Sequence, residues 1–167
     1  DGRVITDMWP QMLMLDALIL HHEFTGDARI PAMVTRYFQW CRDLPDAEFL
    51  PTAHRSVNGL GDFSFGIQQP RAGDMLPHLF WLYNLTGEPF LLNLADLLIE
   101  QTFPWSRVFL NDRPADFHRT FPGGSPWIYD RVRYPWKEEQ INALSVKEQR
   151  SFHCVNLAQG FKQPVVV

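Results

Sequence analysis

Apolar residues in this chain recur every three and four positions, the spacing of a helix that buries one face. The clearest runs are Ile30, Met33, Val34, Tyr37 and Phe38, and then Phe90, Leu91, Leu94, Ala95, Leu98 and Ile99. Each follows a segment that is apolar nearly all round: MWPQMLMLDALILHHEF before the first, and Leu76, Leu79, Phe80 and Tyr83 before the second. The pattern predicts an inner, buried helix followed by an outer, amphipathic one, twice over.

The two units share a junction. HHEFTGDARIPAMVTRYFQW at 21–40 and LYNLTGEPFLLNLADLLIEQ at 82–101 both pass through Thr-Gly-acid, with Thr25 and Thr86 lying 61 positions apart. Glycine suits the left-handed position that ends a helix, and Asp27 and Glu88 stand where the next helix's N-terminus favours negative charge. The predicted fold class is therefore all-α, built from helical hairpins at about 7–42 and 70–103.

A third inner helix is predicted from about 151 to 167, within SFHCVNLAQGFKQPVVV, and the chain stops before a third Thr-Gly turn. Stacked hairpins bury their faces on neighbours, so two and a half of them should leave an open apolar flank. The expectation is an incomplete excerpt of a larger toroid forming one partial domain over 1–167. Its flank would be covered by the rest of the toroid or by a second copy.

Long connections at about 43–68 and 103–150 fall at one end, where the inner helices begin, and loops beyond about 15 residues are usually functional or disordered. Free backbone N–H groups and converging side chains make that end the predicted pocket. Pro77 belongs to a first helical turn if Asp74 caps the helix, or kinks a helix that starts near Pro70. With the early start, Arg71, Asp74 and His78 share a face at the pocket mouth. Asp74 is thus either a cap or a ligand contact, whereas capping is favoured for Asp7.

His153 beside Cys154 suggests a catalytic pair, but neighbours on a helix point about 100° apart, so they cannot face each other as base and nucleophile. His153, Asn156, Gln159 and Gly160 share one face, predicted to look inward. Cys154, Leu157, Ala158 and Phe161 form an apolar face, predicted to pack. Trp9 and Gln11 are either sugar contacts or core, and His21 and His22, at the far end, are read as structural. The 103–150 connection interleaves Trp105, Trp127, Tyr129, Tyr134 and Trp136 with Arg107, Arg113, Arg119, Arg131 and Arg133. Such aromatics either anchor the loop or stack on sugar rings, with arginine forks binding hydroxyls or carboxylates.

Composition narrows the classes. The chain has 167 residues, 46% hydrophobic and 14% aromatic, enough for one globular core. A formal net charge of -4 with scattered basic residues excludes the cationic stripe that nucleic acid requires. No apolar run reaches the length of a membrane span. The opening DGRVITDMWP has neither an initiator Met nor a signal core, so either it was processed or the sequence is an excerpt. Cys41 and Cys154, with no CxxC, suggest neither a disulfide framework nor structural zinc, and leave the compartment open.

The inner helix ending in Thr-Gly-acid, the segment RAGDMLPHLFWLYNLTGE, and His-x-x-Asn with Pro164 eight residues on together resemble the bacterial β-L-arabinofuranosidase-like family, which includes glycoside hydrolase family 127. The resemblance covers nearly the whole chain but only the early hairpins of that family's (α/α)6 toroid. It implies a glycoside hydrolase of plant or microbial glycans, with the sugar held at the mouth by His153 and Asn156. Gly73 and Asp74 fall on the family's Gly-rich start of the second inner helix, but Met75 and Leu76 depart from its polar residues. The family's catalytic glutamate and zinc-held cysteine come later than the matched segment, and Cys154 does not match that cysteine cluster. No nucleophile, zinc or acid/base residue is therefore carried over, and the excerpt is expected to lack a complete catalytic set. With Asp74, Arg71, Trp9, Gln11, Gln159 and Trp127 from the reading of the residues, His153 and Asn156 make up the expected substrate contacts, with no cofactor within the chain. The same scaffold suits a polysaccharide lyase or unsaturated uronyl hydrolase, with arginines on a carboxylate, or a non-catalytic carbohydrate-binding or scaffolding repeat.

Overall fold

The computed structural model describes residues 8–50, 71–106 and 158–166. The expectations for Asp7, Trp127, His153, Cys154 and Asn156 lie outside the described residues. Within them the chain is helical, with no strand. Helix α1 spans Trp9–Thr25, α2 Arg29–Asp43, and α3 is a single turn at Asp46–Phe49. A 3-10 turn at Ala72–Asp74 leads into α4, Leu76–Thr86, followed by α5, Phe90–Gln101, and α6, Lys162–Val166.

The two hairpin turns are built alike. Gly26 and Gly87 both have φ 69°, and each donates its N–H over 2.7 Å, to the His22 and Tyr83 carbonyls respectively. Thr25 and Thr86 hydroxyls donate to the carbonyls four residues back, at 2.7 and 2.8 Å. Each same hydroxyl then accepts the N–H of the following acid, Asp27 at 3.3 Å and Glu88 at 3.4 Å. The threonine thus closes the last helical turn on one side and holds the first residue beyond glycine on the other. In the first turn Asp27 Oδ1 also accepts the Arg29 N–H at 3.0 Å, satisfying an orphan donor of α2.

The hairpins stack side by side: α1 packs on α2 and α4, while α2 reaches both α4 and α5. The core between them holds Met12 and Leu15 from α1, Ile30, Val34 and Phe38 from α2, Leu79 and Leu82 from α4, and Leu91, Leu94 and Leu98 from α5. Each fully buried leucine or phenylalanine contributes about 1.5–3 kcal/mol. Contacts along α1 and α4 ascend together, from Trp9 with Arg71 to Asp16 with His78 to Glu23 with Trp81. The two inner helices therefore run parallel, with Asp16 and His78 separated by 62 residues, close to the period of the repeat.

Two expectations are corrected here. Helix α1 is not buried all round: Leu13, Met14, Leu20 and Phe24 are 50%, 60%, 58% and 83% exposed, because no described residue packs on that flank. On the C-terminal segment Ala158 and Phe161, expected to pack, are exposed, while Gly160, on the face expected to look inward, is buried and Gln163 with it. Gly160 presses against the Trp105 indole with no room for a Cβ, which makes the glycine edge the side that docks.

Both long connections begin from fixed points. Buried Gln101, at the end of α5, accepts the Leu50 N–H at 3.1 Å and donates to the Asp46 carbonyl at 2.7 Å. The buried side chain of Gln163 accepts the Trp105 N–H at 2.9 Å. Each glutamine ties down backbone polar groups where the chain leaves a helix.

Candidate functional site

Parallel inner helices bring their N-terminal ends to one side of the molecule, and the site is built there. Arg71 precedes the 3-10 turn and is 8% exposed. Its guanidinium lies over the Trp9 ring, 4.4 Å from the centroid, a cation–π contact that occupies that face of the indole. Gln11, two residues further along α1, is half-buried.

Asp74 does not cap α4. No side-chain cap bond forms at the start of that helix, and Pro77 sits in its first turn, where its missing N–H costs nothing. The 2% exposed Asp74 carboxylate turns to the C-terminal segment instead, accepting from Gln159 Nε2 at 2.5 Å. Lys162 Nζ approaches its other oxygen to 2.7 Å, a charge contact without the direction of a hydrogen bond. A buried carboxylate needs such partners, and the choice between capping and other contacts is decided by that need.

One helical turn beyond Asp74, His78 is 3% exposed, and its Nε2 lies 2.7 Å from Asp16 Oδ1 on α1. The carboxylate accepts, so Nε2 carries the proton. Nδ1 is buried with no hydrogen-bond partner, and so is Oε1 of Gln159. Gln159 Oε1 is a buried acceptor without a donor and His78 Nδ1 a buried ring nitrogen without a partner, and each suits a hydrogen-bonding group of a ligand or a water.

Sequence reading had grouped Arg71, Asp74 and His78 and had named Gln159, but missed Asp16, Lys162 and Gln163. A signal for Asp16 existed: it is the one charged residue in MLMLDALIL, and a carboxylate on an apolar helix calls for a partner. Lys162 carries no such mark. His22 Nδ1 lies 2.9 Å from the Asp27 carbonyl, and its ring meets Trp81 edge-on at 5.6 Å, so this histidine ties the far end of α1 to α4.

Tyr37 and Cys41 are the titratable groups most changed by burial. Burial pushes the Cys41 thiol up to about 12 and the Tyr37 phenol well above its usual range. Both are neutral at physiological pH. Among the described residues no three His, Cys, Asp or Glu side chains are grouped to hold a metal ion, and no helix is long and apolar enough to cross a membrane. The chain matches no protein-family model, no curated protein and no solved structure.

Proposed function

We propose that this chain is part of an (α/α)6 toroid glycoside hydrolase, arabinofuranosidase-like, that holds a sugar where its inner helices begin. The observation that supports this reading is the buried, unpartnered Gln159 Oε1 on the side chain that holds the Asp74 carboxylate, with the unpartnered His78 Nδ1 one helical turn further along α4. A sugar hydroxyl would supply the hydrogen-bonding group that such an atom lacks. Arg71 supplies a cation at the same end, which favours the second reading: an acidic sugar, as a polysaccharide lyase or unsaturated uronyl hydrolase would take. Cleavage of a glycosidic bond needs a proton donor and a nucleophile or base, and those roles are given to none of the described residues.

Calorimetric titration of the full chain with L-arabinose and with glucuronate tests this, comparing wild type with His153→Ala and Gln159→Ala at matched thermal stability. Saturable binding weakened at least tenfold in both variants is expected. A preference for glucuronate selects the uronate reading. A folded whole protein containing this chain that binds neither sugar overturns both.

A further inference from the structure

We propose that Lys162 sets the charge selectivity of the site at the helix starts. Its ammonium occupies a position on Asp74 that a ligand's amino group would otherwise take, so the site accepts a neutral sugar and excludes an amino sugar. The inference rests on the sugar-binding reading and names the class of sugar. Asp74 is 2% exposed, and an ionised carboxylate so deeply buried is costly without an opposite charge. Among the described residues Lys162 is its only counter-ion. The lysine side chain comes from the C-terminal segment, is 47% exposed, and sets Nζ 2.7 Å from Oδ1 without the direction of a hydrogen bond. Charge is thus balanced at Asp74, while Oδ1 still lacks a donor.

Gln159 spends its Nε2 on Asp74 Oδ2 and leaves Oε1 buried without a partner. Asp74 Oδ1 and Gln159 Oε1 are both acceptors, on two side chains that touch. A hydroxyl donates a hydrogen and brings no charge, so it satisfies either atom and leaves the balance of Asp74 with Lys162 intact. A protonated amino group has the right donors but adds a second cation beside Lys162, and like charges at that range repel. A carboxylate brings acceptors alone and meets neither need. Arg71 does not alter the count: it is 8% exposed, and its guanidinium lies over the Trp9 ring. With Lys162 truncated, Asp74 keeps a buried charge and gains the space of the lost side chain, which suits an ammonium from outside.

The test uses the whole protein containing this chain, as wild type, Lys162→Ala, Lys162→Arg, and Lys162→Ala combined with Asp74→Asn. Thermal unfolding is followed in ethylammonium chloride and in sodium chloride at the same ionic strength. Binding of L-arabinose and of 4-amino-4-deoxy-L-arabinose is measured by calorimetry. Lys162→Ala is expected to lose stability and to regain most of the loss in ethylammonium alone, whereas wild type and the double variant do not respond. An alanine variant that does not fold unaided is read by whether ethylammonium folds it. Wild type and Lys162→Arg should bind the neutral sugar at least tenfold more tightly than the amino sugar, and Lys162→Ala should lose that preference. Absence of rescue, or an unchanged preference in Lys162→Ala, overturns the role of Lys162 while neutral-sugar binding stands. A folded wild-type protein that binds neither sugar overturns the sugar reading, and the selectivity with it, whatever the rescue shows.

Discussion

His78 of α4 gives its Nε2–H to Asp16 of α1 across 62 residues of chain, and the imidazole is buried while the carboxylate faces water. The bond fixes the relative height of the two inner helices. Asp16→Ala strands a buried N–H, which costs about 1–3 kcal/mol, whereas Asp16→Asn keeps an acceptor and loses less. The urea midpoint of the full chain should fall in that order. An alanine variant as stable as wild type would mean that the pair adds nothing to docking.

Matched geometry at the two hairpin turns gives a sharper expectation. Gly26 and Gly87 share φ 69°, and a Cβ at either would meet nothing within 4 Å, so substitution brings backbone strain alone. Gly26→Ala and Gly87→Ala should each cost roughly 1–2 kcal/mol, nearly equally. In the double variant the losses should add, because the sites share no partner. Unequal or coupled losses in chemical denaturation would show that the turns are not equivalent parts of a repeat.

These turns were the most legible part of the chain, because Thr, Gly and the acid each act locally and the pattern occurs twice. The faces of α2 and α5 were mostly legible for the same reason, since their polar sides mark the water, although Met33, expected on the buried stripe of α2, is 38% exposed. Helix α1 was not, since an all-apolar helix records how much surface wants covering but not whether a neighbour is there. Asp74 was misleading in a different way. Its distance from Pro77 in sequence fits a cap, but its partners Gln159 and Lys162 lie more than 80 residues away, and no local pattern encodes them. Pairing with His78 was hidden likewise, although the lone Asp16 in an apolar run announced that some partner existed.

Cys41 should be nearly inert to thiol reagents while the chain is folded. With the thiol pushed up to about 12 by burial, far less of it is ionised at pH 8 than the roughly one quarter of an ordinary cysteine. In a Cys154→Ser background, iodoacetamide should label the native chain slowly and the urea-unfolded chain at the rate of a free thiol. Raising pH should speed native labelling for as long as the fold holds. Fast labelling at pH 8 in a folded chain would mean that the α2 core opens readily.

The seam between the 3-10 turn and the C-terminal segment offers a paired test that also reaches the site. Gly73 and Gly160 are both buried there, yet they differ in what a side chain would meet. At Gly73 a Cβ comes to 3.6 Å from Gln163 Cβ, an ordinary contact, whereas at Gly160 it would penetrate the Trp105 indole. Gly73→Ala should be near neutral, and Gly160→Ala should cost about 1–3 kcal/mol by overpacking. Because Gln159 adjoins Gly160 and holds Asp74, the same substitution should shift Gln159 Oε1 and weaken sugar binding more than stability alone explains. Equal effects of the two alanines on unfolding would place Trp105 elsewhere. A loss of stability in Gly160→Ala with sugar affinity intact would separate Gln159 from the binding site.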